Sequence, residues 1–154
     1  MLLTGLTSAA VAGLVILLVS STTHASSAEP TNYKGVKREF WLFNDHVSGL
    51  NDTKVGLPAD KFSIPSITVK KGDTVVIHFY NIEEKGGDNH SFTINEKPYN
   101  NINAIVHPST NQTITFTATS TGVFPYICTF HQPSMRGQLI VEPATADEVA
   151  VQQQ

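Results

Sequence analysis

Val123-Phe124-Pro125-Tyr126-Ile127-Cys128-Thr129-Phe130-His131-Gln132-Pro133-Ser134-Met135-Arg136-Gly137-Gln138-Leu139-Ile140-Val141-Glu142 decides the fold class. Its two ends alternate apolar and polar residues in the period of two that belongs to strands, so Val123–Cys128 and Gln138–Glu142 are predicted as a strand pair. Between them Gln132-Pro133-Ser134 has the residue types of a tight turn, and Gly137 lets the chain re-enter the sheet without a Cβ in the way. The same period recurs upstream, predicting strands at Arg38–Phe43, Ser66–Val69, Thr74–Tyr80, His90–Ile94 and Gln112–Ala118. Thr74–Tyr80 is almost continuous in β-branched and aromatic residues, which assigns it to the centre of a sheet. Lys71-Gly72-Asp73 and Ser120-Thr121-Gly122 supply the turns before two of these strands, and no long stretch has helical periodicity. Only Asn44 to Asp60 leaves room for a short turn or helix. Several short strands at this spacing indicate an all-β fold, an antiparallel sandwich of about seven to eight strands.

The chain of 154 residues has room for one such domain with terminal segments. Its charged fraction of 15% and net charge of −3 argue against a nucleic-acid partner, since the basic runs Lys34-Gly35-Val36-Lys37-Arg38 and Lys70-Lys71 are short and interrupted. Residues 1–25 read as a secretory signal peptide: Ala9 to Val19 is unbroken and apolar, and small residues place cleavage after Ala25 or Ala28. No Lys or Arg precedes that run, and Leu2 to Val19 approaches the roughly 20 apolar residues of an uncleaved membrane anchor. Both readings put the domain outside the cytoplasm, as a periplasmic or secreted protein or one tethered to the outer face of the membrane. Residues 26–35 are expected to be a flexible Ser/Thr-rich linker, 36–143 the folded domain and 144–154 a disordered tail.

Cys128 is the only cysteine, so an exported chain cannot bury it in an internal disulfide. A free cysteine on its own is most often a small buried hydrophobe. Here His131 follows by three residues and Met135 by seven, and a second segment, Asp88-Asn89-His90-Ser91-Phe92, carries another imidazole at the start of a predicted strand. One thiolate, two imidazoles and one thioether are the ligand set of a mononuclear type 1 copper site, in which soft sulfur suits Cu(I) and imidazole also suits Cu(II). His90, Cys128, His131 and Met135 are therefore the candidate metal ligands, for one copper ion cycling between Cu(I) and Cu(II). Ser91 and Thr129 stand where hydrogen bonds would tie the two ligand segments together. His24, His46 and His78 are assigned to the leader, a loop and a strand face, and His107 beside Pro108 is the one alternative ligand.

Tyr126-Ile127-Cys128-Thr129-Phe130-His131 through Met135-Arg136-Gly137-Gln138-Leu139, with Val69-Lys70-Lys71-Gly72-Asp73-Thr74-Val75, resembles the cupredoxins, the small blue copper proteins of the plastocyanin, amicyanin and pseudoazurin type, over roughly Val36 to Pro143. The resemblance implies a Greek-key β-sandwich and a copper held by His90, Cys128 and His131 with a weak axial Met135. It also implies a one-electron carrier between redox protein partners, working without catalysis and as a monomer. Ser91 stands where many members carry Asn, as in rusticyanin-like proteins, and the four-residue step from His131 to Met135 is intermediate among the familiar loop lengths. In such proteins the apolar surface around the second histidine is the docking face, which here points to Phe130, Pro133 and the Asn95 to Asn103 loop. Glu83 and Glu84 are read as a solvated loop.

Two other classes compete. A copper enzyme of the multicopper-oxidase kind would need histidines where Ile127 and Thr129 stand, a binuclear centre would need a second cysteine, and a nitrosocyanin-like site carries Glu where this chain has His90. A copper delivery or storage module would expose clusters of Met and His, whereas this chain has only Met1 and Met135. Electron transfer is the reading these residues favour.

Overall fold

The computed structural model describes residues 32–49 and 52–154. Among these described residues nine strands run in the order β1 (Lys37–His46), β2 (Asp60–Phe62), β3 (Ser66–Lys70), β4 (Thr74–Asn81), β5 (His90–Ile94), β6 (Asn103–Val106), β7 (Thr110–Thr117), β8 (Gly122–Ile127) and β9 (Arg136–Glu142), with short helices α1 (Asp52–Val55) and α2 (Ala146–Val151). They form two sheets, β2-β1-β4-β7 and β3-β9-β8-β5-β6, packed as a Greek-key sandwich. Every expected strand is present. The two additional ones, β2 and β6, are three and four residues long, too short for a period of two to declare itself in the sequence.

β4 lies between β1 and β7, the central place its composition predicted. β1 pairs with it in parallel, Phe43 opposite Tyr80, and β7 pairs with it antiparallel. Between the sheets Leu42, Phe62, Ile77, Phe79, Phe92, Tyr126 and Leu139 are buried. Phe62 meets Phe79, Phe92 and Tyr126 edge-on at centroid separations of 5.1–6.2 Å, the geometry ring quadrupoles favour. Gly137 stands opposite Tyr126 across β8 and β9, and a Cβ there would collide with the tyrosine ring. The glycine expected to ease re-entry into the sheet does so by admitting this aromatic residue.

Asp73, in the turn before β4, is wholly buried and fastens the N-terminal end of the domain. Its carboxylate accepts from the Tyr33 hydroxyl (2.6 Å), the Val36 and Lys70 N–H groups (both 2.9 Å) and Arg38 Nε (3.3 Å). Burial alone would raise its pKa; these four donors reverse that and hold the carboxyl below the usual range. Gly35, at φ 66°, lies so close to Gly72 that any side chain would strike the backbone. The last residues of the expected linker are therefore tied into the domain.

The expected disordered tail is also corrected. Thr145 caps α2: its hydroxyl accepts from the Glu148 N–H, and the Glu148 carboxylate accepts from the Thr145 N–H at 2.7 Å, a reciprocal capping box. Val149 is buried, Lys70 Nζ bridges Glu142 (3.1 Å) and Glu148 (3.5 Å), and Gln152 Oε1 accepts from the Lys34 N–H. The signal peptide or anchor, and most of the linker with His24, lie outside the described residues. Among the described residues no helix is long and apolar enough to cross a membrane.

The topology decides where chemistry can gather. β5 runs antiparallel to β8, and β8 antiparallel to β9, so the start of β5, the end of β8 and the start of β9 share one pole. The paired ends of β1 and β2, His46 opposite Asp60, reach the same pole.

Candidate metal centre

His90 opens β5, Cys128 follows the last residue of β8, and His131 and Met135 lie on the turn into β9. His90, Cys128 and Met135 are fully buried and His131 keeps only 9% of its surface exposed. Cys128 Sγ lies 3.8 Å from His90 Nδ1 and 3.5 Å from His131 Nδ1, so a thiol and two imidazole nitrogens converge on one point.

The turn is held from inside. Cys128 N–H donates to the Met135 carbonyl at 3.0 Å and Met135 N–H to the His131 carbonyl at 2.9 Å. Gln132 Nε2 donates to the carbonyls of both Cys128 (2.7 Å) and Met135 (2.9 Å), closing the turn across its base. Sequence reading assigned Gln132 only to the turn; that its amide would bind the two ligand residues depends on a loop conformation that spacing does not reveal.

Ser91 joins the two segments. Its N–H donates to Cys128 Sγ at 3.3 Å, its hydroxyl oxygen accepts from the Thr129 N–H at 2.9 Å, and its hydroxyl lies 3.1 Å from that of Thr129. Thr93 donates to the same oxygen and also lies 2.9 Å from Asn103 Oδ1. The tie expected between Ser91 and Thr129 is present. The Ser91 N–H fixes the sulfur from the neighbouring strand.

Glu83 corrects the sequence reading. It is not a solvated loop residue: its Oε1 lies 3.3 Å from His90 Nε2, and its Oε2 accepts from the Asp88 N–H at 3.3 Å. Burial would raise its pKa, but these hydrogen bonds outweigh burial and hold it below the usual carboxylate range. For His90 burial dominates and lowers the pKa, so the ring stays neutral. A neutral imidazole that donates a hydrogen bond from its Nε2–H to the Glu83 carboxylate presents the Nδ1 lone pair toward Cys128, the tautomer a metal ligand needs. Asp60, at the start of β2, is a second residue that sequence reading missed; it lies within 4.0 Å of ring nitrogens of both His90 and His131. Neither carboxylate has a sequence signal, because each reaches the site only through strand pairing.

Of the other histidines, His107 is exposed and its Nδ1 lies 2.8 Å from Asn89 Oδ1, which steadies the loop before His90 without joining the donors. His78 stacks on Trp41 with ring centroids 5.2 Å apart, on the outer face of β4. His46 ends β1 instead of lying in a loop. Phe130 is 48% exposed beside His131, whereas the Asn95 to Asn103 loop follows the far end of β5 and its Tyr99 packs on Phe116 and Phe124. That loop belongs to the opposite pole and is withdrawn from the docking face.

The sequence profile of the cupredoxin-like domain matches residues 9–141. This chain belongs to the cupredoxin-like family. Nitrous-oxide reductase of Cupriavidus necator is 34% identical to it over 93 residues, which are 58% of this cupredoxin and 14% of the enzyme. The chain thus spans about one seventh of the length of that curated relative. Among solved structures, the copper nitrite reductase from Nitrosomonas europaea is 25% identical with a TM-score of 0.53, covering 72% of this chain and 43% of its own. Reduced rusticyanin, at 20% identity and a TM-score of 0.50, covers 71% of this chain and 82% of its own and shows the shared fold. Cupredoxin domains thus occur both as small separate proteins and as parts of larger copper enzymes. The donor chemistry here fits the metal: thiolate and thioether match the soft Cu(I) ion and imidazole also accepts Cu(II).

Proposed function

We propose that His90 Nδ1, Cys128 Sγ and His131 Nδ1, with the Met135 thioether as a fourth donor, would hold one copper ion in this cupredoxin, and that it serves as a one-electron carrier between redox proteins outside the cytoplasm. The observation that carries the reading is the convergence of the three donor atoms on a buried point, with Sγ to Nδ1 separations of 3.8 and 3.5 Å. Copper supplies a reversible one-electron couple; the residues decide how little moves when it is used. Gln132 fixes both ends of the ligand turn, Ser91 fixes the sulfur from the neighbouring strand, and Glu83 fixes the His90 ring. Ligands held by so many independent bonds relax little between oxidation states, and small relaxation is what fast electron exchange requires.

Burial also argues against copper delivery. Cys128, His90 and Met135 are inaccessible, so handing the ion to another protein would require opening the turn. The exit for an electron is the His131 edge, the least buried of the donors, with the exposed Phe130 ring beside it as a contact surface. Export directed by residues 1–25 and a monomeric state complete the proposal.

Two comparisons test it. Cys128→Ala is expected to abolish the intense thiolate-to-Cu(II) absorption of the copper-loaded chain; an unchanged band would overturn the assignment. Azide or nitrite added to the oxidised protein is expected to leave the spectrum unaltered, because the four donors fill the coordination shell. A ligand-field change would instead reveal an open position and favour an enzyme.

A further inference from the structure

Three triplets of the chain have the Asn-x-Ser/Thr form of an N-glycosylation acceptor: Asn51-Asp52-Thr53, Asn89-His90-Ser91 and Asn111-Gln112-Thr113. The fold separates them. The first begins outside the described residues. In the second His90 and Ser91 are fully buried among the metal donors, and Asn89 Oδ1 lies 2.8 Å from His107 Nδ1. In the third all three residues are exposed, near the start of β7 at the edge of its sheet. Among the described residues the Asn111 side-chain amide has no hydrogen-bond partner.

The surface beside Asn111 supplies a second, independent observation. Thr113 stands opposite His78 and its hydroxyl lies 3.1 Å from His78 Nδ1, so both point away from the core. The period of two puts Asn111 on the same outer face, opposite Tyr80, which in turn stands opposite Phe43. The Tyr80 and Phe43 rings stack at 5.3 Å, and Trp41 and His78 form a parallel row at 5.2 Å. Trp41 is 53% and Phe43 36% exposed. A contiguous exposed aromatic surface calls for something to cover it. Strands lie about 4.8 Å apart, so Tyr80 is one strand and Phe43 two strands, about 10 Å, from the attachment point. The C–H groups of a sugar ring carry partial positive charge and pack on the negative face of an aromatic ring.

We propose that Asn111 is an N-glycosylation site and that its glycan lies across the Tyr80–Phe43 stack. The donor is an oligosaccharide linked to a polyprenyl phosphate. The Asn111 amide nitrogen bonds the anomeric carbon of the first sugar, the sugar–phosphate bond breaks, and the lipid phosphate leaves with the bonding pair and takes up the amide proton. The glycan is bulky and soluble and replaces the aromatic face with a hydrated one. This modification shares only export with the copper reading and uses none of the metal donors.

The test is intact-mass and peptide-mapping mass spectrometry of the full chain purified from the cells that make it. Expected is sugar mass on the peptide holding Asn111, absent from an Asn111→Gln variant made in the same cells. A bare Asn111, or sugar on Asn89 instead, would overturn the proposal and leave the copper spectrum, and with it the electron-carrier reading, untouched. Thermal melting tests the aromatic cradle. Asn111→Gln is expected to lower Tm, and that difference is expected to vanish in a Tyr80→Ala background. An equal drop in both backgrounds would overturn the role given to the stack.

Discussion

Ser91→Ala isolates what one buried hydroxyl contributes to a site built from two distant segments. Its oxygen accepts from the Thr129 N–H at 2.9 Å and lies 3.2 Å from the Thr93 hydroxyl, inside a residue with no exposed surface. The losses are unequal. Thr93 keeps a second acceptor in Asn103 Oδ1 at 2.9 Å, and the exposed Thr129 hydroxyl turns to water, so neither costs much. The Thr129 N–H loses its Ser91 acceptor in a part-buried setting, and leaving such a donor unpaired costs about 1–3 kcal/mol. The expected destabilisation is therefore about 2 kcal/mol, near thirtyfold in the folding equilibrium. For a domain of this size that lowers Tm by roughly 5–10 °C. The bond from Ser91 N–H to Cys128 Sγ belongs to the backbone and survives the change, so the copper-loaded variant keeps its thiolate band. Urea titrations of the metal-free proteins give the stability difference, and an absorption spectrum gives the band. A loss below 0.5 kcal/mol would refute the role given to the hydroxyl, since it lies under the lower bound for an orphaned donor of about 1 kcal/mol.

Four further outcomes follow from the same geometry. Gly137→Ala is expected to destabilise the domain by at least 1–3 kcal/mol, the usual range for overpacking, because its Cβ strikes the Tyr126 ring; equilibrium unfolding checks it. Asp73→Ala strips two backbone N–H groups of their acceptor and is expected to cost about 2–4 kcal/mol in the same assay. Glu83→Gln keeps a hydrogen-bond partner for His90 but removes a negative charge that favours Cu(II), so cyclic voltammetry should show a higher reduction potential. Acid should weaken the metal-free fold in two stages, followed by urea midpoints against pH. The unfolded chain protonates His90 near pH 6.5 while the buried ring resists, so stability falls between that value and the lowered folded pKa. Asp73 has a lowered folded pKa, so its contribution is complete above the unfolded carboxyl value near 3.9 and is lost as pH falls through the folded one.

The legible part of this protein is what local sequence encodes. Strand periodicity, the turn residues around Pro133 and the sulfur and imidazole donors at 90, 128, 131 and 135 lie in short windows, and both the fold class and the copper chemistry follow from them. Ser91 was legible because it neighbours a ligand. Asp60 and Glu83 were not, since one reaches the site through the β1–β2 pairing and the other across the loop after β4. The misplaced Asn95 to Asn103 loop has the same origin: only strand direction tells which pole a loop occupies. The tail is a different case. Thr145-Ala146-Asp147-Glu148 is a capping-box pattern visible in the sequence, masked by the three glutamines that follow α2.

The most direct test of the central claim is a visible absorption and EPR spectrum of the copper-loaded full chain, taken before and after ascorbate and again after reoxidation. The account expects an intense thiolate-to-Cu(II) band that bleaches on reduction and returns on reoxidation, with one copper per chain throughout. Copper that stays bound without that band would mean that Cys128 is not a ligand, and would contradict the one-electron carrier.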